Sequence, residues 1–327
     1  MIRFFADANY DFIGVRKYAY AVTAALFALS VVALIGWGLN YSIEFTGGTL
    51  VRVKAAQEVD VARLRTAIEA QGITGPEITS IGSSGGYLIR ARTAKAGADA
   101  DNTQVTAAAV AVALDQAVGA GKYMIEGSGA VGPKVAGELQ GKALSAILLS
   151  FLAVLAYLAV RFEWRFGLAA VAATAHDIIL TIGFIALMRL EVSLVVVGAV
   201  LSMVGYSLND TIIIFDRVRE NLHKYKRDHF GDILNRSINE TLPRSVLTHG
   251  TTLATLLSLA VFGGEVIRPF ALVMFFGVFT GTFSSIYIAA PVLLWIEQKW
   301  PGAEARGTKA GSKVAAPAAR EPVGAGR

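Results

Sequence analysis

The sequence predicts a polytopic α-helical membrane protein: six transmembrane helices, with one external α+β domain of ferredoxin-like build between the first two. Three observations predict it. Of the 327 residues, 54% are hydrophobic and 17% are charged, against roughly 25% charged in a soluble protein. Mean hydropathy is +0.53. The apolar residues gather into runs long enough to cross about 30 Å of hydrocarbon, and one long interval between the first two runs has a different, strand-forming pattern.

Taken in order, residues 1–17 mix aromatics with charges and end in Arg16-Lys17, as an interfacial segment on the cytoplasmic side would. Residues 18–38 are almost wholly apolar and run into Trp37, an interface anchor. The run exceeds the 7–15 apolar residues of a cleaved signal peptide, so a retained first span is expected. Residues 39–140 carry charges, glycines and alternation. Ser42–Val53 reads as a strand broken at Gly47-Gly48. Val59–Gln71 reads as a helix with Val61, Leu64 and Ile68 on one face. Glu77–Gly82 and Tyr87–Arg92 read as strands around the turn Ser83-Ser84-Gly85-Gly86, Thr103–Gly119 as an alanine-rich helix, and Lys122–Glu126 as a last strand. The order βαββαβ is that of a ferredoxin-like sandwich.

Residues 141–296 hold five further apolar runs, near 143–160, 166–187, 193–215, 246–263 and 269–296. The last is overlong, which calls for tilt or an interfacial turn. Lys and Arg set the orientation: eighteen fall in the N-terminal segment, the 161–165 turn, the 216–245 loop and the tail, against Arg189 and Arg268 in the opposite short loops. The positive-inside rule therefore places both termini in the cytoplasm and 39–140 outside. In the 216–245 loop, Phe230, Ile233, Leu234, Ile238 and Leu242 recur at helical spacing. They predict a short amphipathic helix, either on the membrane face or packed on the protein. Residues 297–327 are rich in Ala, Gly, Pro and basic residues, a composition that buries no core and predicts a disordered basic tail.

Several function classes are excluded. There is no cysteine, so thiol nucleophiles and cysteine metal sites are ruled out. The four histidines are scattered, and no paired-acid, zinc-helix or Ser-His-Asp arrangement is present. No basic run accompanies a nucleic-acid-binding motif. Gly127 to Lys134 mimics a phosphate-binding loop, but Pro133 interrupts the Gly-Lys step and Val135 replaces the Ser or Thr. A non-enzymatic protein without a bound cofactor is expected.

The chemistry sits inside the spans. Asp210, beside Asn209, lies six residues before Asp216, about 9 Å from the cytoplasmic edge at helical rise. A charge there costs about 2.5–3.5 kcal/mol on insertion scales. His176-Asp177 lies roughly 18 Å in from Arg165 on the same measure. The fifth run opens Pro243-Arg244 and continues with Thr248, Thr251, Thr252, Thr255 and Ser258, a polar stripe with His249 nearby. One reading is a hydrated proton path: Asp210 titrates, Arg244 tunes it and the hydroxyls hold water. The other is structural, with hydroxyls bonding their own helix and Asp–Arg pairs joining helices. For a titrating carboxyl, burial favours the neutral form and a cation the charged form, so alternation between the two environments is a two-state switch. Small residues Gly198, Ser202 and Gly205, and the pair Gly277 and Gly281, suit close helix packing.

Five stretches carry a resemblance: Ile43-Glu44-Phe45-Thr46-Gly47-Gly48, Val131-Gly132-Pro133-Lys134-Val135-Ala136-Gly137-Glu138-Leu139, Gly205-Tyr206-Ser207-Leu208-Asn209-Asp210-Thr211, Phe215-Asp216-Arg217-Val218-Arg219-Glu220-Asn221 and Ser237-Ile238-Asn239-Glu240-Thr241-Leu242-Pro243-Arg244-Ser245. In this order they resemble the SecF family of bacterial protein-export subunits, over about residues 10–297. Glu44 stands where the family more often has Asp, a change expected to be tolerated at a strand end. The resemblance implies half of a transporter of the resistance–nodulation–division type in the cell inner membrane. SecD would be its partner in a heteromer, acting with SecYEG and YajC on unfolded exported polypeptide, with protons as the coupling ion. It implies that Asp210 carries the proton and Arg244 is its partner. The rival functions are half of a small-molecule exporter and a non-titrating scaffold.

Overall fold

A computed structural model of the chain describes residues 8–73, 75–81, 85–91 and 103–301. The expected tail beyond 301, the first seven residues and the turn at 83–84 lie outside the described residues. Two compact units are present, one comprising Asn40–Leu149 with Glu191–Val197 and the other the remaining helices. In chain order the elements are α1 (Arg16–Trp37), β1 (Asn40–Tyr41), α2 (Ile43–Thr46), β2 (Gly48–Ala55), α3 (Val61–Ala70), β3 (Glu77–Ile81), β4 (Gly86–Ala91), α4 (Thr103–Ala117), β5 (Tyr123–Val131), α5 (Pro133–Arg161), α6 (Trp164–Leu187), β6 (Glu191–Val192), α7 (Leu194–Lys224), α8 (Phe230–Phe262), α9 (Gly264–Ser284), a π-helical turn (Ser285–Ala289) and α10 (Ala290–Lys299).

In the first unit, β2-α3-β3-β4-α4-β5 forms a four-stranded antiparallel sheet in the order β3-β4-β2-β5. With two helices against it, this is the ferredoxin-like sandwich. The period-2 alternation of β2 buries Val51, Val53 and Ala55 against Leu64 and Ile68 of α3 and Val110, Ala113 and Leu114 of α4. The phenol of Tyr87 closes the core by donating to Val59 O at 2.8 Å. Strand β5 is longer than 122–126: it runs on to Val131, with Gly127–Val131 paired to β2. The residues that mimic a phosphate loop are thus a hydrogen-bonded strand followed directly by α5.

The expected strand over 42–53 is corrected at its start. Ser42 caps the helical turn α2, accepting from the Glu44 N–H at 3.3 Å. Gly47 and Gly48 then take φ of 70° and 119°, backbone that side chains rarely adopt, and this reverses the chain into β2. Glu44 is therefore not at a strand end. Its Oε2 accepts from the Leu194 N–H at 2.6 Å, so it caps the first turn of α7. An acidic group suits that end of a helix because its free N–H groups carry partial positive charge. Beside it, β1 pairs in parallel with β6, Asn40 to Glu191 and Tyr41 to Val192, and Arg90 reaches Glu191 at 2.6 Å.

The second unit is a helical bundle. Among the described residues six helices are long and apolar enough to cross a membrane: Arg16–Trp37, Pro133–Arg161, Trp164–Leu187, Leu194–Lys224, Phe230–Phe262 and Val266–Lys299. The last contains the π-helical turn Ser285–Ala289 between α9 and α10. Helices α1 and α6 pack closely where Ser30 meets Gly183; a Cβ there would lie 2.1 Å from that of Ser30. The guanidinium of Arg189 donates to Trp37 O at 2.7 Å, closing the end of α1.

The 216–245 segment is not a loop with a separate helix. Helix α7 continues to Lys224, and α8 starts at Phe230 and passes through Pro243 without ending. Phe230, Ile233, Leu234 and Ile238 are buried inside the protein, which decides for packing on the protein over the membrane face. Polar groups lock this hairpin. Arg217 reaches Glu240 at 2.6 Å, and the buried Asn221 donates to Glu240 at 2.7 Å and to Ser237 at 3.0 Å. Asn235 and Asn239 of α8 also hold the N-terminal segment, accepting from the Ile13 and Tyr10 N–H groups at 2.9 Å each.

Candidate functional site

Helix α7 carries two polar clusters on adjacent faces, about 100° apart at 3.6 residues per turn, and consecutive residues of one short stretch feed them alternately. Side chains one turn apart share a helix face, so Tyr206 and Asp210 go one way and Ser207 and Thr211 the other.

Toward α8, Asp210 is 3% exposed. Its Oδ1 accepts from the Ser245 hydroxyl at 2.7 Å, while its Oδ2 is buried without a hydrogen-bond partner among the described residues. One turn along α8, His249 places Nδ1 2.7 Å from Ser245 O. A carbonyl only accepts, so that nitrogen carries the proton. The imidazole stands edge-on to Tyr206, centroids 5.3 Å apart. The Tyr206 hydroxyl donates to Thr252 Oγ1 at 2.9 Å. Asp210, Ser245, His249, Tyr206 and Thr252 thus form one polar line between two candidate spans, buried at Asp210, Ser245 and His249 and half-buried at Tyr206 and Thr252.

Toward α6 and α9, Asp177 is 0% exposed. Its Oδ2 accepts from Ser207 and from Ser284, each at 2.6 Å, and its Oδ1 lies 2.9 Å from His176 Nδ1. Thr211 donates to Ser285, the first residue of the π-helical turn, at 3.3 Å. The close approach of α9 to α7 makes this possible. A Cβ on Gly277 would lie 2.1 Å from Met203 Cγ, and one on Gly281 3.0 Å from Ser207 Cβ. That spacing motif is used, whereas Gly198 and Gly205 of α7 meet nothing within 4 Å in this chain.

The contact expected between Asp210 and Arg244 is not made. Arg244 and Ser245 are neighbours on α8, about 100° apart at 3.6 residues per turn, and Ser245 is the one turned to α7. Arg244 is exposed and forms no ion pair among the described residues. Asn209 is exposed as well. Thr248, Thr251, Thr255 and Ser258 continue the exposed stripe from Arg244. Thr251 and Thr252 donate to their own helix carbonyls, Leu247 O and Thr248 O, at 2.9 Å, as the structural reading of the hydroxyls has it. Thr252 additionally receives Tyr206.

Sequence reasoning missed Ser207, Ser245 and Ser284 as the direct partners of the two carboxyls. No sequence spacing signalled these contacts, since each joins residues of different helices: Ser207 to Asp177, Ser284 to Asp177 and Ser245 to Asp210. Among the described residues no group of three or more His, Cys, Asp or Glu could hold a metal ion.

Comparison with known proteins adds the following. Residues 111–299 match the family described as protein export membrane protein SecD/SecF, C-terminal, and residues 32–59 match the SecD/SecF GG motif. The protein translocase subunit SecF of Gemmatimonas aurantiaca is 50% identical over 323 residues, covering 95% of both chains. That of Cereibacter sphaeroides is 39% identical over 310 residues, covering 94% of both. The crystal structure of SecDF from Thermus thermophilus, titled a translocon-associated membrane protein, superposes with a TM-score of 0.78 at 35% identity. It covers 89% of this chain, which spans 39% of that longer one.

Proposed function

The chain belongs to the SecF family of protein translocase subunits, and on that premise we propose that it is the proton-coupled half of an export motor completed by SecD. In this reading it resides in the cell inner membrane with both termini in the cytoplasm and residues 39–140 outside. It works with the SecYEG channel and YajC, drawing on the proton-motive force to promote translocation and release of unfolded polypeptides.

One observation carries the proposal. Asp210 is a carboxyl buried in a candidate membrane span, with one oxygen held by Ser245 and the other without a hydrogen-bond partner among the described residues. A purely structural carboxyl is expected to have both oxygens occupied, because a buried unmade bond costs about 1–3 kcal/mol. A proton carrier needs a free oxygen. One proton crossing the membrane yields about 2.3 kcal/mol per 100 mV, and each loading of Asp210 switches the polar line along α8 between a charged and a neutral end.

Arg244 then acts from the exposed stripe. The stripe of Arg244, Thr248, Thr251, Thr255 and Ser258, with Asn209 beside it, is polar surface on candidate spans. Polar surface facing lipid is costly, so this face suits contact with the SecD half, where Arg244 tunes the path from outside this chain's own core.

The test is export in a strain whose sole copy carries Asp210→Asn. The variant keeps the shape and an acceptor for Ser245, inserts normally, and loses proton-dependent export. Export at the wild-type rate would leave a non-titrating scaffold as the better account.

A further inference from the structure

The proposed function leaves a second buried carboxyl of the same bundle without a use. Asp177 is fully buried, and among the described residues the one group of possible positive charge within ion-pair distance is His176. Helix α7 presents Ser207, with Asp210 turned away to Ser245. Helix α9 presents Ser284. His176 and Ser284 line a groove of about 480 Å³ whose other titratable groups are the phenols of Tyr18 and Tyr287. His176 Nε2 is buried without a hydrogen-bond partner among the described residues.

We propose that Asp177 is a second proton-binding carboxyl of the motor, loaded through His176 from the groove between α1, α6 and α9. The relay is set by the tautomer. With Asp177 ionised, Nδ1 carries the hydrogen that faces Oδ1, and Nε2 keeps its lone pair. A hydrated proton arriving at the groove side bonds to Nε2. The Nδ1 proton passes to Asp177 Oδ1, and the ring's remaining proton is on Nε2. One proton has entered, the carboxylate has become a neutral carboxyl and the imidazole is again neutral.

Loading changes packing as well as charge. The Ser207 and Ser284 bonds at 2.6 Å are charge-assisted while Asp177 is ionised, the stronger class of hydrogen bond. Neutralising the carboxyl weakens both bonds at once, and these join α7 and α9 to α6 alongside the Phe166–Phe215 and Phe184–Phe276 ring contacts. Ser284 is followed immediately by the π-helical turn Ser285–Ala289, a loosened helix geometry that recurs at functional sites. Protonation at Asp177 therefore loosens α7 on the face next to that of Asp210.

This inference rests on the proton-driven reading above, and its test separates the two. Acid-induced infrared difference spectra are recorded from the complete complex of this chain with SecD in lipid vesicles. Wild type gains two protonated-carboxyl components within the membrane. Asp210→Asn removes one of them and Asp177→Asn removes the other. A spectrum of Asp177→Asn identical to wild type overturns the inference and leaves Asp210 untouched. A spectrum of Asp210→Asn identical to wild type does the reverse. His176→Gln keeps the Asp177 component but slows its appearance after a pH jump at least tenfold; an unchanged rate removes His176 from the path. Should Asp177→Asn fail to assemble, Ser284→Ala decides. Losing the Ser284 donor shifts the frequency of the Asp177 component, and an unshifted component overturns the inference.

Discussion

At Asp210 the two carboxyl oxygens have different fates, and the difference is set by one neighbour. Ser245 supplies the single hydroxyl that reaches Oδ1 at 2.7 Å. Ser245→Ala should leave Asp210 buried with neither oxygen satisfied, a loss of about 1–3 kcal/mol. Proton-dependent export should fall several-fold yet stay above that of Asp210→Asn, since the titrating group remains. An in vivo export assay with all three proteins expressed at equal levels checks this; equality of Ser245→Ala with wild type would show that the bond is idle. The sequence singled out Asp210 and paired it with Arg244, whereas the structure places Ser245 against it. Residue types made Arg244 the natural match for Asp210, yet facing is decided by about 100° of helix rotation per residue. An adjacent residue, small and neutral, took the position.

Among the elements, α7 is the most constrained, because each of its ends and both of its sides are held. Its first turn is capped by Glu44 at 2.6 Å. Glu44→Ala should remove a cap worth about 0.5–2 kcal/mol, read as faster amide exchange at Leu194, with Glu44→Gln closer to wild type because it keeps an acceptor. Unaltered exchange in Glu44→Ala would show the cap to be unimportant. Its contact with α9 depends on Gly277, where a Cβ would lie 2.1 Å from Met203 Cγ. Gly277→Val should cost about 1–3 kcal/mol by overpacking, measured as a lower Tm of the purified complex; an equal Tm would mean that α9 gives way. These elements were unequally legible. The spans and the alternation of β2 have one dominant period, so pattern alone exposes them. The two-residue pairing of β1 with β6 has no period to read. Pro243-Arg244 looked like the start of a new span, but helix α8 continues through it. The amphipathic face of 230–242 is equally suited to a membrane surface and to a protein core, and only the buried Phe230, Ile233 and Ile238 distinguish them.

For the whole molecule, the account makes this chain half of a machine. On the proposed reading, the exposed polar stripe on α8 faces SecD. The chain contains no cysteine, so single substitutions there are free of background. Thr248→Cys and Thr255→Cys should cross-link to cysteines placed on the membrane helices of SecD, while Phe262→Cys and Val160→Cys, exposed apolar positions, should meet lipid-soluble reagents instead. Failure of every stripe position to cross-link would remove SecD from that face. The central claim is that proton passage through Asp210 powers the work, and it is tested most directly by proton flux. The purified complex is reconstituted in vesicles with an imposed potential, and lumenal pH is followed during export-substrate engagement. The account predicts substrate-stimulated flux in wild type and its loss in Asp210→Asn at equal reconstitution. Undiminished flux in that variant would contradict it.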